Sequence, residues 1–412
     1  MASFSVPLSG LQASSSALNV IGNNLANLNT DGYKNQTLSF GDLFSQMQGT
    51  SGNGDPIQIG SGVKIAGTIS NFTNGAVAST GTAANMALQG NGFFVVSNKG
   101  ATSYTRNGDF SVNSLGQLTT SDGQQVMGFP AAGGIVSTTG VLAPISVNSN
   151  GTVPAAATTT FQADVNLDSA SAVGATFSTP ITVYDTLGTA QNLSIQYAKT
   201  GTNSWSYSVT LPGAATGSAA ATTTVATGTL AFSSSGQLTS PTGTVPGINI
   251  TGLADGAANM SLTWNLKGAT GSPTITQQNS ASATTTATQD GFAVGTLTGF
   301  AVLSDGTVQG QYSNNQTLAL GQVAVANFAN PQGLTQTSGG NQQSTSASGA
   351  AVVGQAGVGG NGAITGGSVE HSNVSLSTEF ANMIVAQQSY DANAKVLTTL
   401  NQVDQATMQM IA

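Results

Sequence analysis

The sequence of 412 residues contains no cysteine, and only 5% of its residues are charged. The missing cysteines exclude disulfide bonds, thiolate metal sites, cysteine nucleophiles and subunit cross-links through cysteine. An average soluble domain carries roughly 25% charged residues, so the solubility of this chain must come from Ser, Thr, Asn, Gln and backbone amides. The few charges sum to −8 and include no basic run. This balance disfavours binding to nucleic acid or to an anionic membrane surface.

Long hydrophobic segments are also missing. The N-terminal segment MASFSVPLSGLQASSS has neither the basic region nor the continuous apolar region of a secretory signal peptide. No run approaches the roughly 18 apolar residues of a membrane span. Taken singly, these absences are typical of a cytosolic protein. The low charge, the missing cysteine and the 53 glycines are more typical of a secreted surface protein, which would then leave the cell without a cleaved signal.

Patterns typical of catalysis or metal binding are scarce. The single histidine, His371, lies between Glu370 and Ser372, and no Gly-x-Ser-x-Gly turn accompanies it. We interpret it as a polar residue at a chain turn. Residues Gly357–Gly362 match the letters of the G-x-G-x-x-G dinucleotide motif, but no helix is predicted after them. We therefore expect no enzymatic activity, no cofactor and no metal site.

Both ends of the chain carry apolar residues at seven-residue spacing, in about residues 5–28 and in about residues 370–412. The N-terminal stripe consists of Leu8, Leu11, Leu18, Ile21, Leu25 and Leu28. The C-terminal stripe consists of Leu376, Phe380, Met383, Tyr390, Leu397, Leu400, Val403 and Met410. Such repeats predict helices that pack along another helix. Glycine and several asparagines make the first helix marginal alone in water, so the simplest arrangement pairs the two ends.

The sequence between these ends predicts β structure, with short alternating runs separated by Gly, Asn and Asp turn signals. Three segments predict a hairpin with a tight glycine turn: Phe110 to Leu118, Phe232 to Leu238 and Phe300 to Val308. Two stretches rich in Ala, Thr, Ser and Gly, at about residues 212–228 and 268–288, predict loops. The predicted fold class is α+β multidomain: paired N- and C-terminal coiled-coil-like helices with nested, discontinuous, mostly-β domains inserted between them. The alternative is a fold in which two ordinary helices cover a sheet. This alternative accounts for either helix taken singly, but less well for a matching pair at the two ends of the sequence.

Three blocks of the sequence resemble the flagellar rod and hook axial protein family. The first is Ile21–Lys34, where the matching residues are Asn24, Leu25, Ala26, Asn27, Thr30, Gly32, Tyr33 and Lys34. The second consists of Gly90–Val96, Tyr104–Phe110 and Gly116–Leu118. The third is Glu370 with Ser372, Asn373 and Val374, followed by Met383–Asn393 with Tyr390 and Asn393.

The middle of the chain is similar to the hook members of this family. The segments that carry this similarity are Val183–Gly188, Tyr312–Asn314, Leu320–Gln322 and Ala326–Phe328. Distal-rod proteins lack a large central insertion. One departure is Gln387–Gln388, where relatives often carry a basic residue, which puts a local salt bridge in doubt.

The resemblance implies a structural subunit of the bacterial flagellar hook, which polymerises into a flexible curved tube that transmits torque from rod to filament. It implies export through the flagellar type III apparatus, without a cleaved signal peptide, to an extracellular appendage of the basal body and hook. The implied partners are further copies of the chain, rod proteins, the hook cap and hook–filament junction proteins, with no nucleic acid and no membrane. A distal-rod-type axial subunit and a secreted β-rich adhesin remain as alternatives.

The resemblance also implies a layered subunit. Residues 1–30 with 370–412 would form the helical domain of the inner tube, and residues 31–72 with 350–369 a linker region. Residues 73–150 with 290–349 would form an inner β domain, and residues 151–289 an outer β domain. The two apolar stripes are then the predicted polymer interface.

Overall fold

The protein is described by a computed structural model, which describes residues 4–43, 46–50, 56–147, 151–268 and 271–411. The chain divides into two compact units. The terminal unit consists of Met1–Asn148, Gly299–Gln311 and Thr317–Ala412, and the inserted unit of Ser149–Thr298 and Tyr312–Gln316. A β-rich unit is thus inserted into one that carries both chain ends, and the predicted fold class is confirmed. The finer four-part division stays a prediction.

Helix α1 spans Ser5–Ala26 and helix α2 spans Leu376–Ile411. Pro7 lies in the first turn of α1, where its missing N–H removes no intrahelical hydrogen bond. Helix α2 begins immediately after Ser375, whose carbonyl accepts the Glu379 N–H at 2.9 Å. Both predicted helices are therefore present, and α1 ends slightly earlier than its apolar stripe.

The strands follow one another along the chain. Up to residue 147 they are β1 (Gln36–Asp42), β2 (Gln46–Thr50), β3 (Pro56–Ile59), β4 (Val63–Ser70), β5 (Val77–Ser79), β6 (Met86–Gln89), β7 (Phe93–Asn98), β8 (Ala101–Thr105), β9 (Phe110–Val112), β10 (Leu118–Thr120), β11 (Gln125–Ala132), β12 (Ile135–Val136) and β13 (Ala143–Pro144). Then come β14 (Thr152–Val153), β15 (Thr160–Asp168), β16 (Thr176–Tyr184), β17 (Ala190–Gly201), β18 (Ser204–Pro212), β19 (Thr222–Phe232), β20 (Leu238–Ser240), β21 (Thr244–Ile250), β22 (Met260–Asn265), β23 (Ile275–Gln278) and β24 (Ala283–Gln289). The last are β25 (Gly295–Val302), β26 (Thr307–Tyr312), β27 (Thr317–Asn327), β28 (Thr335–Gln336), β29 (Gln342–Gln343), β30 (Val352–Gln355), β31 (Ala363–Gly366) and β32 (Ser368–Glu370).

The terminal unit is built on β7, whose residues Phe93–Val96 are all buried. Antiparallel neighbours β8, β11 and β27 cover its edges. Phe94 packs edge-on against Phe110 with 5.2 Å between ring centroids, while Phe93 meets Phe328 on the opposite side at 5.9 Å. A strand buried on both faces reads as a continuous apolar run, and Phe-Phe-Val-Val has this pattern.

The segment that leads back to α2 pairs with the start of the same unit. Strand β31 pairs antiparallel with β6, and β32 pairs antiparallel with β5. Strands β1 and β4 form an antiparallel hairpin that follows α1. The chain therefore enters and leaves the β part of the terminal unit through neighbouring strands. This brings the C-terminal end of α1 close to the N-terminal end of α2.

The inserted unit has two sheets with one core. One sheet has the order β16-β17-β18-β19-β20, and the other has the order β21-β22-β15-β23, with β24 also paired to β15. Burial alternates along β15 and β18, as expected for strands with one face on a core. Trp264 is the centre of this core, 5.3 Å from the Tyr207 ring centroid and 6.0 Å from that of Phe161.

All three predicted hairpins are present, since β9 pairs with β10, β19 with β20 and β25 with β26. Their turn glycines, Gly116, Gly236 and Gly306, have φ of 76°, 76° and 83°, a conformation that favours glycine. The two predicted loops are wrong in part. Strand β19 begins at Thr222, β23 lies within residues 268–288, and β24 begins at Ala283 and ends at Gln289. Threonine is a good strand residue, and pairing with β15 orders β24 although most of its side chains are exposed.

Candidate assembly site

The two terminal helices pack against each other in antiparallel orientation. A Cβ added to Gly10 would lie 2.7 Å from the Asn393 Oδ1, so the backbone of α1 touches this side chain. Asn24, near the other end of α1, donates from Nδ2 to Glu379 Oε2 at 3.3 Å. The two contacts fit a single antiparallel register, because Gly10 and Asn24 are 14 residues apart on α1 and Glu379 and Asn393 are 14 residues apart on α2. Asn393 is one of the family-motif residues, whereas sequence reasoning missed Gly10.

A buried amide joins α1 to the chain that follows it. The Asn24 side chain donates to the Gln36 carbonyl at 2.8 Å and accepts the Gln36 N–H at 3.0 Å and the Tyr33 hydroxyl at 3.1 Å. With the Glu379 contact, it uses both donors and both acceptor sites of a side-chain amide. Burial, together with the charge of Glu379, raises the pKa of Tyr33, which therefore stays protonated and donates. Glu379 in turn accepts from Asn35 Nδ2 at 2.7 Å.

Three further charged side chains are buried in the terminal unit, and we call them the Glu370 cluster: Lys34, Arg106 and Glu370. Lys34 Nζ lies 2.7 Å from Glu370 Oε1, and Arg106 Nη1 lies 3.6 Å from Glu370 Oε2. The three side chains are 7%, 4% and 0% exposed. Burial lowers the pKa of Lys34, although the hydrogen bond and charge of Glu370 oppose this shift. Burial likewise lowers the pKa of Arg106, against the attraction of Glu370.

The Glu370 cluster connects three parts of the terminal unit. Arg106 donates to the carbonyls of Leu88 at 3.1 Å and Gly90 at 2.6 Å. The Glu370 carbonyl accepts the Gly32 N–H at 2.7 Å. Gly32 has φ of 71°, and a Cβ there would collide with the Asn107 backbone, so this approach requires glycine. The segment after α1, the strand before α2 and the β sheet are thus joined at one point.

Asn373 and His371 complete the connection. Asn373 accepts the Asn35 N–H at 2.7 Å and donates to the Asn71 carbonyl at 2.8 Å. His371 Nδ1 lies 2.7 Å from Asp31 Oδ1, with side chains 51% and 27% exposed. Even a charged pair at such a surface contributes only about 0–1 kcal/mol, so His371 has a minor structural role here.

The family-motif residues divide into two groups. Those at the junction are Asn24, Gly32, Tyr33, Lys34 and Asn373, with Val374 buried beside them and Asn393 on the helix pair. Those partly or largely open to solvent are Leu25, Ala26, Asn27, Thr30, Ser372 and Tyr390. Sequence reasoning missed the structural role of Arg106, Glu370 and Glu379. The rarity of charge could have pointed to two of these residues, because Glu370 and Glu379 are the only glutamates in the sequence.

The apolar stripes have different degrees of exposure. The exposed members are Leu8, Phe380, Leu376, Tyr390, Val403 and Met410. The half-buried members are Leu11, Leu18, Leu25, Leu28, Met383, Leu397 and Leu400. Ile21 is buried within the subunit. The interface predicted from the sequence did not include several other exposed apolar residues on the two helices, namely Val6, Ile384, Val385, Val396 and Met408. A strict seven-residue spacing selects only a narrow face of a helix.

An open groove of about 580 Å³ lies between α1, α2 and the hairpin of β1 and β4. Small residues Gly10, Ala13 and Ala17 line its α1 wall, and Phe40 and Val385 contribute exposed apolar surface. We call it the α1–α2 groove. Among the described residues, no cluster of three His, Asp or Glu side chains could hold a metal ion. No helix in the described ranges combines the length and apolarity required to cross a bilayer.

Comparison with known proteins places these features in one family. Residues 5–34 match the model of flagella basal body rod proteins, and residues 87–155 the flagellar hook protein FlgE/F/G D1 domain. Residues 148–292 match the flagellar basal body protein FlaE D2 domain, and residues 365–410 the flagellar basal body rod FlgEFG protein C-terminal model. The flagellar hook protein FlgE of Escherichia coli is 36% identical, over 97% of this chain and 98% of that protein. The chain belongs to the flagellar hook protein family.

Other hook proteins agree with this placement. FlgE of Salmonella typhimurium is 37% identical over 97% of this chain and 98% of that protein, and FlgE of Treponema pallidum is 32% identical over 95% and 96%. The crystal structure of Helicobacter pylori hook protein FlgE2 has a similar fold, with a TM-score of 0.51 and 14% identity over 70% of this chain and 98% of that one. The prediction of a hook structural subunit, rather than a rod subunit or an adhesin, is confirmed.

Proposed function

We propose that the paired terminal helices are the surface through which hook subunits hold together in the polymer. The observation that carries this proposal is the apolar exposure of α2 along the part that already packs on α1. Phe380, Ile384 and Val385 are 47%, 54% and 62% exposed. Contiguous exposed apolar surface marks protein contacts. Burying it releases about 25 cal/mol for each Å² removed from water, a gain that is available only when copies meet.

The weakness of the helices by themselves supports coupling between folding and assembly. Helix α1 contains Gly10 and Gly22, and each glycine costs about 1 kcal/mol relative to alanine in a helix interior. Most helix stability in proteins comes from packing rather than propensity. Contacts with neighbouring subunits therefore add to the stability of the two helices that make them.

The proposed partners are further copies of this chain, rod proteins, the hook cap and hook–filament junction proteins. Matches of the first and last segments to rod protein models support a shared way of packing along the flagellar axis. The chain would reach its extracellular position through the flagellar type III apparatus. In the polymer, contacts between charge-poor inserted units contain few fixed ion pairs, which allows them to slide while the tube bends and transmits torque.

The test compares two pairs of substitutions on exposed apolar residues. Phe380→Asn with Ile384→Asn alters α2, whereas Ile135→Asn with Val141→Asn alters residues that are 77% and 90% exposed on the β part of the terminal unit. We expect the first variant to remain monomeric in sedimentation and electron microscopy, with an unchanged β signal in circular dichroism. The second variant should form tubes like the parent. Normal tubes from the α2 variant would contradict the proposal.

A further inference from the structure

Helix α2 is longer than its partner and continues beyond it. The register set by Gly10 with Asn393 and Asn24 with Glu379 places Ser5 opposite about residue 398. Residues 399–411, which we call the overhang, then extend past the described part of α1 by about 20 Å at 1.5 Å per residue. Val403, Met408 and Met410 on this segment are 52%, 71% and 86% exposed.

A helical contact pattern begins about one turn before the overhang and runs through it. Val396, Leu400, Val403, Thr407 and Met410 are spaced by four, three, four and three residues. This spacing is that of the a and d positions, whose side chains insert between residues of a facing helix. Asp404 is the one charged residue of the overhang. A helix of this composition can be buried with little loss of charge solvation.

The α1–α2 groove has the complementary character. Ala17 on its α1 wall is small and keeps the groove open, and Phe40 and Val385 expose apolar surface along it. Glu379 is the charged residue among those that line the groove, and its carboxylate is already bonded to Asn24 and Asn35. The groove therefore offers apolar surface without an unsatisfied charge.

The overhang cannot occupy the groove of its own subunit. The groove borders α2 from Glu379 to Asn393, and α2 continues as one unbroken helix to Ile411. Its C-terminal end therefore points away along the axis. Only the overhang of another copy can enter the groove while α2 remains straight.

We propose that the overhang of one subunit packs into the α1–α2 groove of a second copy of this chain. This inference rests on the proposed function of the terminal helices and specifies which surfaces meet. Overhang and groove are different surfaces, so the contact is head-to-tail. A head-to-tail contact whose rotation does not close on itself generates an open helical polymer rather than a dimer.

The absence of cysteine makes the experiment clean, because every thiol in it is introduced. One chain carries Ala17→Cys in the groove, and the other carries Val403→Cys, Met408→Cys or Met410→Cys in the overhang. The two chains are polymerised together and treated with a short bis-maleimide. We expect cross-linked dimers from the mixture for at least one overhang position and none from either chain alone. Val141→Cys replaces the overhang cysteine in the control mixture.

Two outcomes would overturn the inference in different ways. A polymer whose Ala17→Cys chain links to no overhang position more than to Val141→Cys excludes the groove contact. If Phe380→Cys still links neighbouring copies in that polymer, the proposed role of the terminal helices stands; if it does not, that role fails as well.

A second measurement covers the case in which a cysteine variant does not fold. A peptide of residues 396–411 is added to unmodified chain during polymerisation. We expect it to slow elongation several-fold, whereas a scrambled peptide of the same composition leaves it unchanged. Equal rates with both peptides would overturn the groove contact.

Discussion

Replacing Glu370 by glutamine removes the only negative charge of the Glu370 cluster while keeping the size of the side chain. The carboxylate is fully buried and lies 2.7 Å from Lys34 Nζ and 3.6 Å from Arg106 Nη1. The substitution leaves two buried cations without a counter-charge. Removing one partner of a buried ion pair costs about 3–5 kcal/mol. We expect the free energy of unfolding of the terminal unit to fall by this amount.

The assay must separate the two units. Both tryptophans of the chain, Trp205 and Trp264, lie in the core of the inserted unit, so their fluorescence reports that unit during urea unfolding. Amide hydrogen exchange read by mass spectrometry over β6, β7 and β8 reports the terminal unit. Exchange there should accelerate on the order of 100-fold or more, since each 1.4 kcal/mol is a factor of ten. The tryptophan transition should stay where it is.

Asp31→Asn is the matched control, because it removes one charge from the exposed pair with His371. Its cost should be at most about 1 kcal/mol. Adding Lys34→Met to Glu370→Gln should recover part of the loss, because one stranded cation is removed. If Glu370→Gln were no more destabilising than Asp31→Asn, the burial argument for this cluster would be refuted.

Three further predictions concern the helices and the inserted unit. Gly10→Ala should weaken polymerisation and Gly22→Ala should strengthen it, because an added Cβ meets Asn393 at 2.7 Å in the first case and nothing within 4 Å in the second; equal critical concentrations would contradict this. Burial raises the pKa of Asp290, but hydrogen bonds from Thr159 and Thr160 outweigh burial and lower the pKa below its ordinary value of 3.8. The stabilising contribution of Asp290 is therefore present above the ordinary pKa and lost as the pH falls through the lowered pKa. Asp290→Asn should shift the tryptophan-monitored urea midpoint at pH 7 more than at pH 2, and an equal shift at both would argue against the effect. Limited proteolysis of dilute monomer should remove both termini and leave a β core, and a fully protected α1 would count against coupled folding and assembly.

Features that depend on local sequence were predictable. The seven-residue apolar spacing predicted α1 and α2, and the three glycine turns predicted three hairpins, because both depend on neighbours a few residues apart. The Thr-rich strand β24 was not predicted. It lacks large apolar residues and is held by pairing with β15, a partner more than a hundred residues away.

The Glu370 cluster was outside the reach of sequence reasoning for a related reason. Lys34 and Glu370 are separated by 336 residues, so nothing near either residue indicates that they meet. The motif residues were identified by resemblance, but their geometry required the fold. The α1–α2 groove likewise depends on the register of two helices from opposite ends of the chain.

That separation of 336 residues has a consequence for the order of events during export. If the chain passes through a narrow channel from its N-terminus, Lys34 emerges long before Glu370. The terminal unit cannot finish folding until the last strands and α2 have left the channel. Strand β5 pairs with β32 and β6 pairs with β31, and neither pair can form before then. The inserted unit lies between and can fold first. Under such export, the subunit would be completed only when α2 emerges, after the inserted unit has folded.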